Sequence, residues 1–397
     1  MLSRRPPLQR IYTRRCTVRG AQSATYFPED ALRTMRRNYV AFTAILALGP
    51  TTIFPQDVTP SRMSIREGPG CARCDIVLEK VVTLGSATDT VSPSVVAGVV
   101  RDRAGRYYAA SDPAIHILQY DARGRLERAI GRRGPGPGEY RNIVQLHQDS
   151  RGHLYVFDLG QRLTILDTGL RVVRAVGHPV EYNPFVVLPS GAVVMASTVS
   201  SADRVGFAIH VYGPGGEPVR SFDQAAGVFR ANADPRLHRR TIGLARSGGI
   251  WSAPLWRYEI EEWDTAGRHL RGFRRDADWF RPPDPGSGRP QPQIDAIHED
   301  DVGRLWVLMT VTNRRLPPPQ RGQPPRSWAE RARDYDTIIE VLDLSRRVVV
   351  NSRRLEGMYR GFVIGGHLYR VVEDPSGNQM LELFSVRLTP SAGGKTR

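Results

Sequence analysis

Two histidines invite a metal-site reading. His147 and His298 each stand five residues before a glycine, Gly152 and Gly303, at equivalent points of two similar segments. Imidazole suits zinc and related divalent metals. Two inward rings facing each other across a channel would begin a metal-dependent hydrolase or lyase site holding calcium or zinc. The ligand set is short, because Asp295 is the one acidic neighbour in a useful place. Two structural histidines explain the same spacing, and on that reading no cofactor is expected. A second constellation is Cys71-Ala-Arg-Cys74, beside a third cysteine at Cys16. A local disulfide between Cys71 and Cys74 fits an oxidising compartment. A redox pair of this spacing would open a helix in a βαβ setting, which is absent, and zinc would need a second ligand pair. A third set mixes arginine, amide and ring: Arg141, Asn142, Trp256, Arg257, Tyr258, Asn313, Arg314, Tyr359 and Arg360. Guanidinium forks and aromatic faces suit an anionic or sugar-like ligand. Taken singly, each of these residues also reads as ordinary surface or packing. No Gly-x-Ser-x-Gly elbow is present.

The elements that would position these residues repeat. One unit runs Arg101-Asp-Arg-Ala-Gly-Arg-Tyr-Tyr-Ala-Ala-Ser-Asp112, then Ile115 to Asp121, then Gly124 to Gly131. A second runs Gln148-Asp-Ser-Arg-Gly-His-Leu-Tyr-Val-Phe-Asp158, then Arg162 to Asp167, then Leu170 to Gly177. Each is an Asp-x-x-Gly turn followed by short alternating strands, and four looser copies follow. Their turn glycines are Gly105, Gly152, Gly191, Gly248, Gly303 and Gly366. Short strands at a regular spacing, joined by Gly/Asp turns, must cover two sheet faces and two edges. Radial stacking does both. The expected fold is all-β, a six-bladed propeller of four-stranded blades. The last unit lacks an outer strand, whereas Glu79-Lys-Val-Val-Thr-Leu84 precedes the first. A strand at about 79–84 therefore completes the sixth blade and ties the ring shut.

The run Gly131-Arg-Arg-Gly-Pro-Gly-Pro-Gly-Glu-Tyr140, leading to Asp149-Ser-Arg-Gly-His-Leu-Tyr-Val-Phe-Asp158, resembles an NHL repeat. The chain is similar over about 79–388 to uncharacterised bacterial six-bladed propellers of that kind. The other four units lack the Gly-Pro-Gly-Glu run. Related propellers include lactonases and amidating lyases, whose metal sites use several inward carboxylate, Asn or His ligands. Such a set is not assembled here, so a binding module is the first expectation and a lactonase-like or amidating-lyase-like enzyme the alternative.

Strand order assigns faces. Inner strands run toward their Asp-x-x-Gly turns, so those turns share one end of the ring. The longest insertions, 225–241, 276–293 and 313–335, fall at the other end. Loops gathered on a rigid scaffold are a usual place for binding. The expected partner is a protein, a glycan or a small anionic ligand.

Composition narrows the setting. Formal charge is +16, with lysine only at Lys80 and Lys395. The arginines are scattered, with no basic block in the body, so GC-rich coding explains them better than nucleic-acid binding. Met35-Arg-Arg37 followed by Tyr39 to Leu48 is a signal-peptide pattern. The expected plan is an upstream extension at 1–34, a signal peptide at 35–56, and a linker with the cysteine pair at 57–78. The propeller follows at 79–390, with an unstructured tail at 391–397. Removal of the leader would leave a periplasmic or secreted protein with no membrane span. Residues 1–37 hold nine arginines against Glu29 and Asp30, so part of the basicity leaves with them.

Overall fold

Alternating apolar residues build six antiparallel sheets. The computed structural model describes residues 61–68, 71, 74–93, 98–112, 115–177, 184–197, 206–224, 239–281, 291–316, 330, 332–363 and 366–390. The expected upstream extension, signal peptide and tail lie outside them. The described residues belong to one unit, Thr59–Arg397.

Blade 2 shows the pattern. Ile143–Gln148 is its inner strand, followed by Leu154–Asp158, Arg162–Leu166 and the outer Val172–Gly177, each hydrogen-bonded to the next. Leu154–Asp158 is buried throughout, whereas most of Val172–Gly177 is exposed. A strand covered on both faces must be apolar on both; an outer strand need not be. Blade 3 runs Phe185–Val187 to Pro218–Gln224, blade 4 Arg240–Leu244 to His269–Arg275, and blade 5 Gln293–Glu299 to Val348–Leu355. In blade 1, Ser92–Pro93 and Val99–Arg101 share the inner position beside Tyr107–Asp112. The six turn glycines all have φ between +73° and +89°, a backbone region that L side chains avoid.

Blade 6 closes the ring. Arg360–Val363, His367–Glu373 and Gln379–Pro390 are completed by Cys74–Leu84, which pairs antiparallel from Cys74 opposite Pro390 to Leu84 opposite Leu381. The closing strand is thus longer than the expected 79–84. Each gap between neighbouring blades holds its own hydrophobic cluster. The cluster between blades 6 and 1 joins Leu84, Leu381 and Leu383 to Tyr107 and Leu118, so the core runs round the whole circle.

In the segment expected as a linker at 57–78, most of the described residues lie in strands. Arg62–Ile65 lies parallel to His269–Arg275 as a fifth strand on blade 4, and Arg66 bridges to Val348 on blade 5. Ile65 is buried among Tyr258, Phe273 and Phe280, with Met63 and Trp279 alongside. Arg62 pairs with Glu261. Glu67 reaches Arg275, 3.0 Å away, whose guanidinium is held by the buried Glu340 at 2.7 Å. Cys71 and Cys74 then form a disulfide, with Cα atoms 5.4 Å apart, directly before the closing strand.

Candidate functional site

Asp-x-x-Gly turns set the geometry of one end. In the turn at 300–303, Asp300 accepts hydrogen bonds from the Val302 and Arg304 amides, the Arg304 guanidinium and the Trp306 indole. Asp102 likewise holds Arg106 and the Tyr108 hydroxyl. Asp149 holds the imidazole of His153 at 3.0 Å. A cleft of about 210 Å³ opens between the turns of blades 1 and 2, lined among others by Arg103, Arg106, Tyr108, Gln148, Arg151 and Thr168.

The opposite end carries the flanks of the long insertions. Gln224 and Arg240, Arg275 and Gln293, and Thr312 and Tyr335 are the strand ends from which they depart and to which they return. Residues 225–238, 282–290, 317–329 and 331 lie outside the described residues. Of the nine residues expected here, Arg141, Asn142, Arg257 and Arg314 are exposed, and Trp256, Asn313 and Arg360 are half-buried. Asp158 fixes the first pair by accepting their amides at 2.7 and 3.1 Å. Arg257 lies 3.6 Å from Glu259. The Asn313 amide group is used within its own loop, donating to Arg333 O and accepting from Arg315 N.

The other two of the nine are buried. Tyr258 is 5% exposed, and its hydroxyl donates to Glu340 at 2.7 Å. Burial pushes the Tyr258 hydroxyl well above its ordinary pKa. Tyr359 is 7% exposed, packs edge-on against Phe384 and lies under the Arg370 guanidinium. Neither ring is open to a ligand. Both rings belong to the hydrophobic clusters between blades, which decides their burial.

Asp295 carries a signal the motifs did not convey. It sits on the inner strand of blade 5, where the register slips between Ile294 and Ala296. Gln293 donates to one carboxylate oxygen at 2.7 Å and Thr310 to the other. Burial raises its pKa to about 6, against the pull of Arg360 on the next blade. Nearby, Arg240 and Asp223 form a buried pair at 2.8 Å between blades 4 and 3.

The two histidines are kept apart. His147 on blade 2 packs against Phe185 of blade 3, and His298 on blade 5 against Phe362 of blade 6. Burial lowers the pKa of His147 to about 4 and also lowers that of His298, so both rings are neutral at pH 7. Among the described residues no three His, Cys, Asp or Glu side chains are grouped to hold a metal. No described helix is long and apolar enough to cross a membrane.

No protein-family model matches the chain. No curated protein matches it either. Solved structures do. A member of the DUF4221 family from Bacteroides vulgatus is 12% identical with TM-score 0.55, over 80% of this chain and 99% of that one. A candidate exported protein from Bacteroides fragilis is 11% identical with TM-score 0.56, over 83% and 100%. A catalytically inactive virginiamycin B lyase from Staphylococcus aureus, solved with quinupristin, is 12% identical with TM-score 0.45, over 78% and 99%. At such identities the likeness to the first two is one of fold, and this chain is a six-bladed β-propeller.

Proposed function

We propose that this chain is an exported, NHL-like propeller that binds a protein, a glycan or a small anionic ligand at the end bearing its three long insertions. The observation that carries this reading is strand order. In antiparallel blades, the links from outer to inner strands and the turn from second to third strand share one end, so all three insertions issue from it. The exposed Arg141, Arg257 and Arg314 add guanidinium donors on strand starts and hairpin corners of that end. Export is supported by the apolar run at 39–48 behind Arg36 and Arg37, and by the cysteine pair. The name of the Bacteroides fragilis neighbour agrees with it. NHL kinship is supported by the Gly-Pro-Gly-Glu run, whose backbone is held by one of its own side chains and by the third strand of its blade: Gly136 N donates to Glu139, and Arg162 donates to Pro135 O.

The test is a glycan, peptide and small-anion binding screen of two proteins. One is the full chain; the other replaces residues 313–334 by a two-residue Asn-Gly turn. Ligands bound by the first and lost by the second, at unchanged melting temperature, support the reading. Ligands kept by both, or bound by neither, remove it. Export is checked separately, by whether the full chain reaches the periplasm or medium shortened near residue 56.

A further inference from the structure

Two clefts between blades occupy equivalent places and differ in what fills them. Between blades 4 and 5, Glu299 stands directly before the turn aspartate Asp300 and reaches back to the turn of blade 4. Its Oε2 accepts from Arg246 N at 3.0 Å and from the Trp251 indole at 2.8 Å. Arg246 is the second residue of the turn Ala245–Gly248, and Trp251 lies six residues after that turn begins.

Between blades 1 and 2 the corresponding residues are Gln148, Arg103 and Tyr108. Gln148 does not reach across. Its amide donates to Gly152 O in its own turn at 3.2 Å. The space that Glu299 fills elsewhere is here part of the 210 Å³ cleft. Arg103, Arg106 and Arg151 all line it, against Asp102 alone, and Asp102 is already paired with Arg106 at 2.7 Å. Among the described residues the Arg103 and Arg151 guanidinium groups form no ion pair. The cleft therefore has two uncompensated cations and the second amide of a β-turn, a position with no partner inside the turn.

We infer that this cleft binds a carboxylate, which takes the place that Glu299 fills between blades 4 and 5. The carboxylate accepts from Arg103 N and faces the Arg103 and Arg151 guanidinium groups. The volume is below the roughly 300–1,000 Å³ of drug-sized sites, so the ligand is a small organic acid or one acidic side chain of a peptide. The site lies at the turn end, opposite the insertions, and stands or falls independently of the function proposed above.

Calorimetry on the full chain at low salt tests this with succinate, with acetyl-Gly-Glu-Gly-amide and with inorganic phosphate. At least one carboxylate probe is expected to bind, and which of the two binds tighter separates a free acid from a peptide side chain. Binding should weaken tenfold or more in an Arg103→Ala/Arg151→Ala variant. It should weaken as much in Gln148→Glu, which supplies the carboxylate from within, whereas Gln148→Ala should retain it. Melting temperatures identify any variant that fails to fold, and the surviving variant then decides. Absence of binding by both carboxylates, equal binding in the folded variants, or phosphate bound as tightly as either acid would overturn the inference.

Discussion

Among the described residues, five arginines that follow a turn's fourth residue donate through Nε to the aspartate that opens it: Arg106, Arg125, Arg171, Arg268 and Arg304. As composition they signalled only a coding bias; as positions they are arms of the turns. Most are exposed, so each contributes little by charge alone. Buried ionisable groups have larger consequences, and two act in opposite directions. Asp295 has a folded pKa of about 6, above its ordinary 3.8. The folded state then holds its proton more tightly, and stability falls as pH rises from about 4 to 6. Asp295→Asn should therefore stabilise the protein at pH 7 by about 1–3 kcal/mol and leave it unchanged near pH 3, as urea titrations at both values would show. His147 has a folded pKa of about 4, below 6.5. The unfolded chain takes the proton first, so stability is lost as pH falls from 6.5 toward 4. His147→Phe should flatten that loss in the same titrations. The histidine spacing was legible in sequence, but the Phe185 ring beside His147 belongs to another blade and left no trace in local pattern.

Strands and turns were largely legible because period-2 alternation and Gly at positive φ are local requirements. The strand Arg62–Ile65 was not. It has four residues, pairs in parallel, and has no turn to fix its register. What holds it is distant in sequence: Ile65 fits a pocket of blade 4 aromatics, and Arg62 meets Glu261. Ile65→Ala should cost about 2–4 kcal/mol in chemical unfolding, the loss expected for a buried Ile. If that strand were a loosely attached linker, the loss would be under about 0.5 kcal/mol. The closing strand has its own sensor. A Cβ added at Gly124 would lie 2.0 Å from Thr83 O, and Gly124 has φ +81°. Gly124→Ala on blade 1 should thus press on the backbone of the last blade. A drop of more than about 2 kcal/mol, against a smaller one for Gly248→Ala, where the space is open, would check that the two elements abut.

At the scale of the ring, six gaps filled by six clusters make each blade depend on two neighbours. A chain beginning at residue 85 lacks the outer strand of blade 6 and leaves Gln379–Pro390 as a bare edge. Such an edge pairs with other chains. The shortened protein should aggregate or unfold over a broad range in calorimetry, where the full propeller unfolds sharply. The blade count was readable because the repeat is a property of the whole chain. The candidate sites were less so: they depend on which residue faces which across a gap, as Glu299 and Gln148 show by doing different things at one equivalent position.

Register in the last blade also has a meaning in time. Cys74 lies opposite Pro390, and Leu84 opposite Leu381. The ribosome makes these partners about 300 residues apart. Until Gln379–Pro390 has been made, the early strand lacks its hydrogen-bonding partner, and the circle stays open whatever the middle blades have done. A chain that stops short of its final strand cannot lock. Arrival of Gln379–Pro390 is therefore the event that permits the closed ring.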